Sequence, residues 1–260
     1  MAVRATINVF KDPDALALET ARKLCDIMNQ AVAARGVCSL ALAGGETPRL
    51  AYRLLAREGS GRVDWNKIHL FFIDERMAPP DNPQSNFGMV RRELLSLVPV
   101  PESNIHRVRG ELAPDRAAEE YRIDLETFFA HPVPRFDLIL LGLGEDGHIA
   151  SLFPGTAALD EEVRCVVAVF VPKFKSWRIT ITLPVINNSR AVLFLVSGAR
   201  KASILKQVLA ADRPVKHIPA TLVVPADGTV EWMLDEDAAS LIGDQNRAVS
   251  HENPQGKDSR

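Results

Sequence analysis

Phe136-Asp137-Leu138-Ile139-Leu140-Leu141-Gly142-Leu143-Gly144-Glu145-Asp146-Gly147-His148 is the stretch that decides the fold. Its first half, Phe136 to Leu141, is of strand length and apolar apart from Asp137, and reads as a central strand. Its second half is a glycine-rich turn that ends on an imidazole. In open α/β sheets ligands bind beyond the carboxyl ends of the strands, so a buried strand feeding such a turn is where function concentrates.

Working outward, short β-branched runs alternate with stretches of helical period, which predicts an α/β chain: a mostly parallel sheet with helices on both faces. Strands are expected at Thr6 to Phe10, Cys38 to Ala43, His69 to Ile73, Val166 to Phe170, Ile179 to Leu183, Ala191 to Val196, Thr221 to Val224 and Val230 to Leu234. Asp12-Pro13 reads as the cap and first position of a helix whose apolar face carries Leu16, Leu24 and Ile27 and which ends at Gly36. Further helices are expected after Pro48, around Tyr52 and Leu55; after Ser85 or Asn86, through Met89, Val90 and Leu94; from Pro114 through Phe128; and from Ala199 to Leu209. A single domain over residues 1–242 is expected, followed by a polar tail, 243–260, with little to bury and no expected order.

Composition narrows the function. Lys plus Arg total 31 against 33 Asp plus Glu, so nothing drives the chain broadly toward nucleic acid or anionic lipid, and anion binding must be local. No apolar run is long enough to span a bilayer, and Met1 to Phe10 lacks a signal-peptide pattern; a cytoplasmic protein, free of membrane and nucleic acid, is expected. The 3 cysteines, Cys25, Cys38 and Cys165, are odd in number and sit in apolar surroundings, as core residues of a reducing compartment do.

Four strands run into polar or glycine-rich turns: Gly44-Gly45-Glu46-Thr47, Asp74-Glu75-Arg76, Gly144 to His148, and Ser197-Gly198-Ala199-Arg200-Lys201. Glycines between a strand and a helix let backbone N–H groups approach an anion, and the helix start adds positive potential. Gly44, Gly45 and Thr47, with Lys201 as cation, therefore form a candidate cradle for one phosphate; the spacing matches neither a Walker loop nor a dinucleotide fingerprint. His148 is the candidate base, with Asp146 close enough along the turn to orient the ring. Asp74, Arg76 and Arg178 are candidate substrate contacts, each at a strand end near the cleft. Arg76 beside Asp74 and Glu75 argues against a metal, and no Ser or Cys has a nucleophile's context, which leaves activated water as the attacking group. His69, His106, His131, His217 and His251 lack such a neighbourhood.

With these segments together the chain resembles the 6-phosphogluconolactonases, members of the wider group that includes glucosamine-6-phosphate deaminase. The resemblance rests on Leu42 to Pro48, Phe72 to Arg76 continuing to Ser85-Asn86, Gly142 to Gly155, Arg178-Ile179-Thr180, and Ser197-Gly198 with Lys201. It implies a Rossmann-like sheet, hydrolysis of a sugar-phosphate lactone in the oxidative pentose phosphate route, no cofactor, and a monomer or weak oligomer. The deaminases carry Phe-Asn-Glu-Pro after Asp-Gly-His-Ile-Ala, whereas this chain has Ser151-Leu152-Phe153-Pro154 and supplies no acid there. A deaminase or isomerase is thus the first alternative, and a sugar-phosphate-binding module without turnover the second. Glu46 departs from the family, which often has a small or hydroxyl residue at that position; the carboxylate is expected to turn away from the phosphate.

Overall fold

The computed structural model describes residues 5–243 and the backbone of 248–249. In chain order the elements are β1 (Thr6–Phe10), α1 (Pro13–Arg35), β2 (Cys38–Leu42), α2 (Glu46–Glu58), β3 (Ile68–Phe72), β4 (Asp74–Arg76), α3 (Asn86–Val90), α4 (Pro114–Phe129), β5 (Leu138–Leu141), β6 (Val166–Val171), β7 (Ser176–Ile181), α5 (Leu183–Asn188), β8 (Ala191–Val196), α6 (Ala202–Leu209), β9 (Thr229–Asp235) and β10 (Ala248–Val249). A parallel sheet of order β10-β1-β9-β8-β5-β2-β3 forms the centre, flanked by helices. The α/β reading, with its mostly parallel sheet, holds.

Local chemistry sets the elements where the sequence announced them. The Asp12 carboxylate accepts from the Ala15 backbone N–H at 2.8 Å, Pro13 pre-sets the first turn of α1, and Gly36 closes it in the left-handed region at φ 83°. β2 and β5 are buried along their whole length, as strands covered on both faces must be. Ser85, rather than Asn86, caps α3: its Oγ accepts from Gly88 N–H at 3.0 Å. Cys25, Cys38 and Cys165 are free and buried, and burial pushes the Cys38 thiol up to about 12 and the Cys165 thiol up to about 11.

The edge strand β3 is finished by one side chain and by the backbone of the segment at His106. The Tyr121 hydroxyl accepts from the Phe72 N–H at 2.9 Å and donates to the Phe72 carbonyl at 2.8 Å, while the His106 N–H donates to the Leu70 carbonyl at 2.8 Å. Backbone groups at a sheet edge that would otherwise lack a ladder partner are thereby satisfied.

Three expectations need correction. Asp74-Glu75-Arg76 is not a turn but β4, which pairs antiparallel with β7 in a second sheet of order β4-β7-β6. The chain changes sheets at Ile73, whose N–H donates to the Leu42 carbonyl and whose carbonyl accepts from Ile181 N–H. The strand expected from Ile179 to Leu183 begins earlier, at Ser176, and stops at Ile181, because Leu183-Pro184 opens α5. Thr221 to Val224 is no strand: Pro219–Leu222 is a 3-10 turn in which the Thr221 hydroxyl bonds to the Val215 and Ile218 backbone, competing with a ladder. The tail 243–260 lies outside the described residues except for Gly243 and for Ala248–Val249, an apolar pair that extends the sheet beside β1.

Connectivity fixes where a ligand can go. From β2 the chain crosses to β3 on one side, and from there it returns to β5 on the other side of β2, so the connections diverge between β2 and β5. A crevice opens at the carboxyl ends of strands at such a switch point.

Candidate active site

A cavity of about 580 Å³ occupies that crevice. Its walls include Gly44 and Gly45 from the turn after β2, Thr47 from the first turn of α2, Asp74 and Arg76 from β4, Gly144 and His148 from the turn after β5, and Lys201 from the turn after β8. The imidazole and the glycine turn, far apart in sequence, thus face one space of small-molecule size. Asp146 and Arg178 do not line it: Asp146 stands behind His148, and Arg178 lies beside Arg76 across the β4–β7 ladder.

The Asp146 Oδ1 lies 2.5 Å from His148 Nδ1. A carboxylate only accepts, so Nδ1 carries the proton and Nε2 keeps its lone pair, the arrangement a general base requires. Burial pushes His148 below its ordinary value, assisted by Lys201 and opposed by Asp146 and Asp74, which favours the neutral ring. Burial alone would raise Asp146, but hydrogen bonds from Lys173 and His148 outweigh it and hold the carboxyl well below the usual carboxylate range. Phe153 stacks on the imidazole with centroids 3.9 Å apart.

Two buried carboxylates shape the opposite wall. Asp74 accepts from Asn86 Nδ2 at 2.9 Å and from Ser151 Oγ at 2.6 Å. Glu75 accepts from the N–H groups of Arg76, Asn86 and Phe87 and from Ser85 Oγ, and so ties β4 to the start of α3. Burial raises Glu75, and these backbone donors counter it. The Nε atoms of Arg76 and Arg178 are buried with no hydrogen-bond partner among the described residues. Burial and the charge of Arg76 lower Arg178, against the attraction of Asp74 and Glu75. Two guanidiniums thus stand side by side, with the carboxylates of Asp74 and Glu75 near enough to offset part of their charge.

At the glycine turn, a Cβ on Gly44 would lie 1.8 Å from Asn86 Oδ1, so the close approach of the turn to Asn86 admits only glycine. Glu46, the first residue of α2, is exposed and pairs with Arg49 at 3.2 Å, so its charge is partly neutralised at the cavity rim. The turn carrying Lys201 is held by buried Asp235, which accepts from Ser197 Oγ, from Gly198 N–H at 3.0 Å and from Ala238 N–H at 2.8 Å. Burial lowers Lys201.

Asn86, Lys173, Phe153 and Asp235 escaped the sequence reading as site residues. Asn86 carried a signal, its place beside Ser85, but only as a cap; Lys173 and Asp235 carried none, because each acts from another strand end. His69 and His106, given no role, meet away from the cavity, with His69 Nδ1 3.1 Å from His106 Nε2 and His106 Nδ1 3.0 Å from Asp124. No three metal-ligating side chains gather among the described residues, and no helix among them is long and apolar enough to cross a membrane.

A cavity walled largely by turns that follow parallel strands, and lined by a glycine turn at a helix start together with Arg76 and Lys201, is the architecture of α/β enzymes that act on small phosphorylated molecules. More narrowly, the chain belongs to the family of glucosamine-6-phosphate isomerases/6-phosphogluconolactonase, whose model matches residues 11–232. It is 42% identical over 219 residues to a 6-phosphogluconolactonase of Synechocystis, covering 83% of this chain and 89% of that one. A human 6-phosphogluconolactonase is 38% identical over 236 residues, with 86% and 91% covered. Among solved structures, the 6-phosphogluconolactonase of Trypanosoma brucei superposes with a TM-score of 0.83 at 31% identity, covering 93% of this chain and all of that one. A monomeric glucosamine-6-phosphate deaminase shares the fold, at 21% identity and a TM-score of 0.76.

Proposed function

We propose that the chain hydrolyses 6-phospho-D-glucono-1,5-lactone to 6-phosphogluconate with water activated by His148. The observation that carries this reading is that His148, its Nδ1 tied to Asp146 and its Nε2 without a hydrogen-bond partner among the described residues, lines the same cavity as Gly44, Gly45 and Thr47. Nε2 takes a proton from water as the oxygen attacks the lactone carbonyl. The resulting imidazolium, stabilised by Asp146, returns that proton to the ring oxygen as the C–O bond breaks. The new carboxylic acid then ionises and releases one proton to solvent. Arg76 and Lys201, with the N–H groups of the first turn of α2, are the groups proposed to hold the phosphate and to orient the sugar, while Arg178, behind the cavity wall, adds its charge beside Arg76.

A pH-stat assay with freshly generated lactone tests the reaction, since each turnover yields one equivalent of acid; acid appearing only at the uncatalysed rate would refute it. Ammonia release from glucosamine 6-phosphate tests the deaminase alternative. Against that alternative, the segment after His148 gives Phe153, an aromatic ring on the imidazole face, and no acid.

Lys201→Ala is expected to raise KM roughly 10-fold or more while leaving kcat within a few-fold, the loss of one charge-assisted hydrogen bond to phosphate. An unchanged KM would remove Lys201 from the phosphate site.

A further inference from the structure

The β6–β7 hairpin turns over the catalytic histidine from outside the cavity. Its tip, Pro172–Phe174, closes with Lys175 in the left-handed region at φ 48°, the Lys175 N–H donating to the Pro172 carbonyl at 3.1 Å. From this tip the Lys173 Nζ donates to Asp146 Oδ2 at 2.8 Å. The next residue, Phe174, packs edge-on against Phe153 at 5.6 Å, and Phe153 is the ring stacked on His148. Both supports of the imidazole, the carboxylate behind Nδ1 and the ring on its face, are therefore fastened to two adjacent residues of one turn.

We infer that Lys173 is a positioning residue for the hydrolysis: by holding the second oxygen of Asp146, it fixes the carboxylate against His148 and limits how strongly that carboxylate favours the imidazolium. The inference rests on the reading of His148 as the base. Asp146 has two oxygens; Oδ1 faces His148 and Oδ2 is occupied by Lys173. With Oδ2 free, the carboxylate could swing, and its full charge would act on the ring. The other charges near the imidazole are Asp74 from β4, Lys201 from the turn before α6, and Glu145 on its own turn, paired with Arg200 at 3.5 Å. Lys173 is the cation bonded to Asp146 itself.

The direction of the effect follows. Removing the Lys173 cation leaves Asp146 to attract the imidazolium unopposed, so the ring holds its proton to higher pH and the acidic limb of kcat/KM moves up. Because the Lys173 side chain is 55% exposed, solvent screens the interaction, and the expected displacement is about half a pH unit.

The experiment is the pH dependence of kcat and KM for the full chain and for Lys173→Met and Lys173→Arg, with the spontaneous rate subtracted, alongside an NMR titration of the His148 ring. In Lys173→Met the limb and the ring titration should move up together, plateau kcat should fall several-fold, and KM should stay in place. Lys173→Arg, which keeps the cation, should restore the wild-type limb. A limb that stays put in Lys173→Met, or that moves equally in Lys173→Arg, overturns the inference, even where melting temperature falls. If His148→Ala is inactive while Lys173→Met leaves the limb unmoved, only the role of Lys173 is lost; if His148→Ala keeps full turnover, the base assignment itself is lost.

Discussion

His148→Ala is expected to lower kcat at least about 100-fold while product binding stays nearly intact, the usual worth of a positioned general base. Its ring lines the cavity, its Nε2 has no hydrogen-bond partner among the described residues, and Asp146 at Nδ1 fixes the tautomer in which Nε2 is basic. The cations proposed for the phosphate, Arg76 and Lys201, sit on other elements and keep their supports: Arg76 its hydrogen bond to the Gln84 carbonyl at 2.6 Å, and the Lys201 turn its anchorage on Asp235. The loss should therefore fall on kcat rather than on KM. Turnover by pH-stat, with the spontaneous rate subtracted, and calorimetric binding of 6-phosphogluconate give the two quantities. Turnover retained within a few-fold of wild type would end the assignment.

Gly144→Ala is expected to cost nearly as much, on the order of 100-fold in kcat, although the substitution adds one methyl group to a residue with no chemistry of its own. A Cβ at Gly144 would lie 1.9 Å from His148 Nδ1 and 2.1 Å from its Cε1. The backbone of the turn is closed by Gly144 N–H donating to the His148 carbonyl at 2.9 Å and Gly147 N–H donating to the Gly144 carbonyl at 3.0 Å, so the ring must be the part that moves. A displaced ring loses Asp146 and its line to the substrate, and small misplacements of a catalytic group are expensive. Thermal melting separates this from unfolding: a folded, inactive Gly144→Ala is the expected result, and a folded, fully active one would show that the imidazole position is not what the reaction depends on.

Much of this was legible in the chain, and for a physical reason. β2 and β5 are buried along their whole length, so their sequences are apolar apart from Ser39, and the turns after them interrupt those runs abruptly with glycine. Gly44 to Thr47 and Gly144 to His148 could thus be matched to the ends of central strands without any coordinates. Two strands of the second sheet, β6 and β7, were legible, but the sheet itself was not, because its third strand, β4, consists of Asp74, Glu75 and Arg76, whose side chains say loop unless their partners are known. Glu75 is a strand residue only because four donors from the start of α3 and its own neighbour surround its carboxylate. Lys173 was invisible for the same reason: 27 residues separate it from Asp146, and only the hairpin brings the two together. Sequence pattern reports burial well and pairing across elements poorly.

The way β3 ends bears on the behaviour of many copies together. With Phe72 saturated by one phenol and Leu70 by the segment at His106, this margin offers an incoming chain no free hydrogen-bonding row to copy. Strand addition from a neighbouring molecule, the first step of fibrous polymerisation, has no template at that rim. Tyr121 thereby blocks the growth of the sheet at that rim.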